Sequence, residues 1–111
     1  MKLFKLNHMT KGWFIGKFTP SVFDTDIAEV AVKKYSAGDY ESMHHHKIAT
    51  EITVITEGFV KMGGVEYGVG DIVLVEPGEA IDFYAVTDAI LTVVKIPGVK
   101  NDKYMGQPSN A

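Results

Sequence analysis

The sequence predicts an all-β protein, a small sandwich or barrel. Short runs rich in Val, Ile, Thr, Phe and Tyr recur along the middle of the chain, separated by glycine, proline or aspartate. Nothing in this region has the apolar spacing that is typical of an amphipathic helix. Many short strands at close spacing favour a sandwich or a barrel. The 111 residues are enough for one domain with one hydrophobic core.

Nine candidate strands divide the chain into an arm, a barrel and a tail. The first strand belongs to an N-terminal arm, 1–27, and the others form the barrel, 28–97. A polar C-terminal tail follows, 98–111, and we expect its last residues to fray. The candidate strands cover residues 13–19, 28–36, 42–47, 51–58, 59–64, 65–70, 71–76, 80–86 and 89–96.

Two of the connections carry strong turn signals. Gly63 and Gly64 follow Met62, and paired glycines allow the positive φ angles of a tight hairpin turn. Pro77 and Gly78 form a second turn, in which proline fixes one backbone angle and glycine permits the next. The first signal predicts a β-hairpin, and the second predicts a turn between two strands.

Composition excludes several classes of function. The formal net charge is −3, and all eleven basic residues are lysine. Arginine, the preferred group for bidentate contacts to phosphates and bases, is absent, which argues against nucleic-acid binding. No apolar run is long enough to span a bilayer, and the N-terminus lacks the apolar segment of a signal peptide. Without cysteine, disulfides and thiolate chemistry cannot contribute. We expect a soluble cytoplasmic protein.

Three adjacent histidines stand in the stretch GDYESMHHHKIATEITVITEG, residues 38–58. If 42–47 is a strand, alternation places His44 and His46 on one face and His45 on the other. Imidazoles two residues apart on a strand can reach one ion, and zinc, iron, nickel and manganese all accept imidazole nitrogen. Glu51 opens the next strand, and a short turn could bring its carboxylate to the same face. Two histidines and one carboxylate would leave coordination positions for water or substrate.

Simpler interpretations of the three histidines remain open on spacing alone. A purification-tag remnant is disfavoured because the run is internal, short and within a strand pattern. A solvated polar strand face is a serious alternative, since His-x-His spacing is common. Glu51 taken alone is typical of a surface residue, and Lys33 with Lys34 is typical of a solvated strand face.

The same residues match a family pattern. Gly38, His44-x-His46, Glu51 and Gly58, with five, four and six residues between them, resemble the first sequence motif of the cupins in full. The resemblance covers about residues 28–96.

The second cupin motif is matched only in part. Gly70-Asp71 followed by an apolar strand and a Pro-Gly turn resembles its beginning. Glu76 stands where a proline is expected, and Ile81 stands where the family has its fourth metal-ligating histidine.

The resemblance implies a small conical β-barrel, a double-stranded jelly roll built from two antiparallel sheets, with the site inside. It implies that His44, His46 and Glu51 would hold a divalent transition metal, iron, manganese, nickel or zinc. Alternation then places Ile81, Phe83 and Ala85 on an apolar inner wall. Asp82 would point outward and could replace the missing histidine only if a bulge shifted the register.

Three hypotheses of function follow. The first is a metal-dependent enzyme, an oxygenase or an isomerase, acting on a small organic molecule. The second is a metal-free isomerase or epimerase of sugar type, in which His44 or His46 is the catalytic base. The third is a non-catalytic module that binds a small ligand. Cupins are often dimers, so we expect a homodimer, in which the strand around Trp13 packs on the barrel or crosses to the partner. Lys95 is expected to be exposed.

Overall fold

The computed structural model describes residues 1–109 and contains ten strands and one short 3₁₀ helix, Leu6–His8. The strands are β1 Trp13–Ile15, β2 Glu29–Tyr35, β3 Tyr40–His46, β4 Thr50–Glu57, β5 Val60–Met62, β6 Val65–Tyr67, β7 Ile72–Val75, β8 Ile81–Ala85, β9 Ala89–Ile96 and β10 Lys103–Met105.

Two five-stranded antiparallel sheets make up the domain, as a jelly roll requires. The first sheet has the order β1-β2-β9-β4-β7, and the second sheet has the order β10-β3-β8-β5-β6. Strands that are distant in sequence lie side by side in both sheets, which is the pattern of a double-stranded β-helix. The all-β jelly roll predicted from the sequence is therefore confirmed.

The core lies between the two sheets. On β9 the residues Ala89, Leu91 and Val93 are buried, and they alternate with residues that are only half-buried. Buried side chains of β5 and β8, among them Val60 and Phe83, meet them from the second sheet. Burying one such side chain contributes about 1.5–3 kcal/mol, so the alternating pattern fixes which face of each strand points inward.

The hairpin predicted at the glycine pair is present between β5 and β6. Gly63 and Gly64 have φ angles of 59° and 81°, the left-handed values that a tight primed turn needs. Gly58, with φ 80°, has a different constraint: a Cβ there would meet the carbonyl oxygen of Asp88. A larger residue is therefore excluded at the end of β4 both by backbone angle and by space.

The C-terminal segment contains a strand that the sequence did not predict. β10 pairs antiparallel with β3, so that Lys103, Tyr104 and Met105 lie opposite His46, His45 and His44. Residues 110 and 111, at the end of the predicted tail, lie outside the described residues. In the part of the chain from 1 to 109, no helix has the length and apolar character needed to cross a membrane.

Candidate functional site

A cavity of about 70 Å³ lies between the two sheets at the end of the barrel where β3 and β4 are joined. Its walls contain His44 and His46 from β3 and Glu51 from β4. We call it the central cavity. The charged or titratable side chains that line it are Lys33, Tyr35, Glu41, His44, His46, Glu51, Lys95 and Lys103.

His44 and His46 face the central cavity together. Their ring centroids are 5.8 Å apart and the rings are tilted by 40°. The Nδ1 atom of His44 is 2.9 Å from the carbonyl oxygen of Ser42, which leaves Nε2 for another partner. Metal-ligating histidines are usually oriented by a contact of this kind. The Nε2 atoms of His45 and His46 are both buried without a hydrogen-bond partner, and of these two rings only that of His46 lines the central cavity.

A bulge in β3 produces this arrangement. Glu41 lies opposite Phe83 in the ladder to β8, whereas His44, three residues on, lies opposite Ile81, so the register shifts between them. A regular strand would turn residues 41 and 44 to opposite faces. With the bulge, Glu41 and His44 both reach the cavity.

Glu51 enters the cavity from the first sheet. It lies directly opposite Lys95 of β9 in the strand ladder, with Val75 of β7 on its other side. Burial raises the pKa of Glu51 above its ordinary value, and the nearby positive charges of Lys95, His44 and Lys33 oppose this shift. Burial also lowers the pKa of His46, and the Lys95 ammonium group lowers it further. Both effects favour the neutral form of His46, the form that binds a metal.

The three predicted ligands line one cavity but do not close into a finished metal centre. Within residues 1–109, no three His, Asp or Glu side chains are clustered in a way that would hold an ion as they stand. The two imidazoles and the carboxylate nevertheless form a suitable donor set for a transition metal. The structure thus gathers His44, His46 and Glu51 without assembling a coordination sphere.

The predicted apolar wall is only partly as expected. Ile81 and Phe83 line the central cavity, and Ile81 lies beside His44 in the ladder. Ala85 does not line the cavity, because β8 carries it deeper into the core, where it is fully buried. Asp82 does not reach the cavity either, because the bulge occurs in β3 and leaves the alternation of β8 unchanged.

His45 points away from the cavity, as alternation predicted, but it is not at the surface. Its side chain is only 4% exposed. The ring stacks on Tyr104 of β10 at 5.5 Å, and its Nδ1 lies 2.7 Å from the carbonyl oxygen of Gly106. The strand β10 covers the side of β3 that carries His45, which the sequence predicted to be exposed to solvent.

Two lysines were assigned to the wrong side of the first sheet. Lys33 and Lys95 line the central cavity, contrary to the expectation that both are solvated. Their ammonium nitrogens lie 5.2 and 4.9 Å from the ring centroid of Trp13, which also lines the cavity. Such contacts contribute about 0.5–2 kcal/mol, with the larger values in desolvated sites. Strand phase places Lys33 on the face of Ala31 and Lys95 on the face of Val93, but it does not say which face is inside.

A carboxylate outside the cavity orders the loop between the candidate ligands. Asp102 is 6% exposed and precedes β10. Its oxygens accept hydrogen bonds from the backbone N–H groups of Lys47, Ile48 and Ala49 at 2.9–3.2 Å. These three residues join His46 to the strand that carries Glu51, so Asp102 fixes the connection on which both ligands depend. No motif marked it in the sequence.

Solved structures with this architecture are numerous, although no protein-family model and no curated protein matches the chain. A conserved protein with a double-stranded β-helix domain from Klebsiella pneumoniae gives a TM-score of 0.71 at 17% identity, over 96% of this chain and 93% of that one. An RmlC-like cupin protein from Desulfovibrio desulfuricans gives 0.61 at 21%, over 68% and 77%.

An enzyme is also among the similar structures. The DMSP lyase DddQ from Ruegeria pomeroyi gives a TM-score of 0.68 at 23% identity, over 89% of this chain and 52% of that one. At these identities the likeness shows the fold alone. The protein has the cupin fold, the double-stranded β-helix that its first motif predicted.

Proposed function

We propose that the protein binds a divalent transition metal through His44, His46 and Glu51 and acts on a small organic molecule in the central cavity. The observation that carries the proposal is the buried, unpartnered Nε2 of His46 beside His44, whose Nδ1 contacts a carbonyl oxygen. Both features are typical of histidines prepared for a metal. Iron, manganese, nickel and zinc all suit this donor set.

The metal, when bound, would act as a Lewis acid and would orient substrate oxygen atoms. The chain itself supplies the remainder of the site. Phe83 and Ile81 keep one wall apolar, which excludes water from the reacting molecule. Ile81 occupies the place of a fourth protein ligand, so three protein ligands would leave more open positions for substrate. The similarity of the fold to that of a lyase supports an enzymatic function.

Metal binding is best measured on protein purified without a histidine tag. We expect about one zinc or manganese ion per chain by isothermal titration calorimetry. The variants His44→Ala and His46→Ala should each lose at least tenfold in affinity, because each removes one of three ligands. His8→Ala is the matched control, since His8 is exposed and does not line the cavity. Binding that is absent in the wild type, or equal in all four proteins, would refute the site.

Acid should release the metal, because a protonated imidazole cannot coordinate. Burial lowers the pKa of His46, so this ligand stays neutral to a lower pH than an ordinary histidine. The part of the loss of affinity that comes from His46 should therefore begin below the ordinary imidazole pKa of about 6.5.

A metal-free function is favoured by one observation, the position of Lys95. Its ammonium group faces the cavity opposite Glu51 and can offset the carboxylate charge without an ion. His44 or His46 would then serve as a proton-transfer base in an isomerase, or the cavity would bind a ligand without reaction. Activity that survives exhaustive chelation would select this alternative over the metal-dependent enzyme.

A further inference from the structure

The inward pair of lysines is unusual for the inner face of a barrel. Trp13 of β1 lies opposite Ala31 of β2, which lies opposite Val93 of β9. Lys33 is two residues from Ala31 and Lys95 two residues from Val93, so both share the inner face with Trp13. Lysine is rarely buried without a partner, because removing an ammonium group from water is costly.

The two ammonium groups contact an aromatic ring rather than a carboxylate. Among residues 1–109, Lys33 and Lys95 form no ion pair with a carboxylate, and each lies instead beside the indole ring of Trp13. A contact with an aromatic ring attracts a cation but does not cancel its charge. Burial lowers the pKa of Lys33, with the charge of Glu41 opposing the shift. An anion in the cavity would favour the charged form of Lys33.

The charge count of the cavity leaves room for one negative charge. Three lysines line it, Lys33, Lys95 and Lys103, against two glutamates, Glu41 and Glu51. Glu41 accepts a hydrogen bond at its Oε1 from the Tyr35 hydroxyl at 3.0 Å, so this carboxylate already has a partner within the protein. With neutral imidazoles, one positive charge is left over, and one monoanion would cancel it.

The size and the walls of the cavity limit which anion can enter. A cavity of about 150 Å³ accommodates benzene, so 70 Å³ suits a ligand of only a few heavy atoms. The lysines adjoin Leu91, Val93 and Phe83, which offer an apolar surface to a short carbon chain. A carboxylate with one or two attached carbons uses both surfaces, whereas inorganic phosphate would face the apolar wall with polar oxygens.

We infer that Lys33 and Lys95, beside the indole ring of Trp13, form a subsite for the carboxylate group of a small organic acid. The inference deepens the proposed function by naming the substrate class of the same cavity. It does not require the metal, because neither lysine is one of the three proposed ligands. The two ideas can therefore be tested apart.

Trp13 is the only tryptophan of the chain and reports on the subsite directly. Metal-free protein is titrated with acetate, with its neutral analogue acetamide, and with inorganic phosphate, while tryptophan emission is recorded. We expect a saturable change with acetate and none with acetamide. Lys33→Gln and Lys95→Gln should each weaken acetate binding at least tenfold. Lys34→Gln is the matched control, since Lys34 is exposed on the same strand and does not line the cavity.

Circular dichroism establishes whether the variants are folded. If Lys33→Gln is not folded, Lys33→Met, which keeps an apolar stem, replaces it. Equal responses to acetate and acetamide would overturn the inference, and so would unchanged acetate affinity in folded Lys33 and Lys95 variants. Tighter binding of phosphate than of acetate would overturn the choice of a carboxylate. Metal titrations are run without acetate. Lysine-dependent acetate binding in a protein that binds no metal would refute the metal site and uphold the subsite. Metal binding in a protein whose acetate binding does not depend on the lysines would refute the subsite and uphold the metal site.

Discussion

Replacing Asp102 by asparagine should loosen the loop between the two strands that carry the candidate ligands. The carboxylate accepts hydrogen bonds from three consecutive backbone N–H groups, those of Lys47, Ile48 and Ala49. Asparagine has nearly the same size, but it removes the negative charge and turns an amide N–H₂ toward some of these donors. The change therefore tests the hydrogen bonds with little effect on packing.

The expected magnitude follows from the exposure of the three donors. Lys47 and Ile48 are exposed, so water can replace the carboxylate at their N–H groups. Ala49 is only 3% exposed, and leaving its buried N–H unsatisfied costs about 1–3 kcal/mol. The weaker hydrogen bonds at Lys47 and Ile48 add to this cost. We therefore expect Asp102→Asn to lower the free energy of unfolding by about 2–3 kcal/mol.

The effect should depend on pH in a definite direction. Burial alone raises the pKa of Asp102, but the hydrogen bonds from Ala49, Lys47 and Ile48 outweigh it, and the pKa lies below the ordinary value of 3.8. A lowered folded-state pKa stabilises the protein above the unfolded-state pKa, and that stabilisation is lost as the pH falls through the folded-state pKa. The difference between wild type and variant should thus be full at neutral pH and shrink below about pH 3.8.

Urea denaturation of both proteins across this pH range measures the effect. Asp24→Asn is the control, because Asp24 is exposed and its replacement should change stability by less than about 0.5 kcal/mol. The variant should also bind the metal more weakly, since the loop joins His46 to β4. A stability loss no larger than that of the control, or a loss that is unchanged in acid, would refute the role assigned to Asp102.

Two further predictions concern the fourth ligand position and the assembly. Ile81→His places an imidazole beside His44, at the position where cupins have their fourth ligand, and should raise metal affinity at least tenfold. The control Asp82→His should not, because Asp82 points outward. Calorimetry compares the two variants, and equal metal affinities would contradict the assignment of Ile81 to the cavity wall. The homodimer expected from the family resemblance should appear in light scattering as twice the mass of one chain, and a single-chain mass at all concentrations would exclude it.

Much of the fold could be predicted because its signals are local. The strand at 89–96 was predicted with the bounds that the structure has, since its apolar run is long and clearly delimited. The hairpin at Gly63 and Gly64 follows from turn chemistry between two neighbouring strands. The spacing of His44, His46 and Glu51 predicts that the three side chains share one site, and all three line the central cavity. Each of these predictions needs only residues within about twenty positions of one another.

The sequence by itself determined the strands, their turns and the face of β3 that carries His44 and His46, because alternation and turn geometry depend on neighbouring residues. Tertiary structure decided the rest. β10 has only three residues, Lys103–Met105, and it forms by pairing with β3, about sixty residues earlier in the chain. Lys33 and Lys95 carry charges that argue for solvent, and only the closure of the two sheets turned them into the cavity. Alternation states which residues share a face, but packing over long sequence separations decides which face is inside.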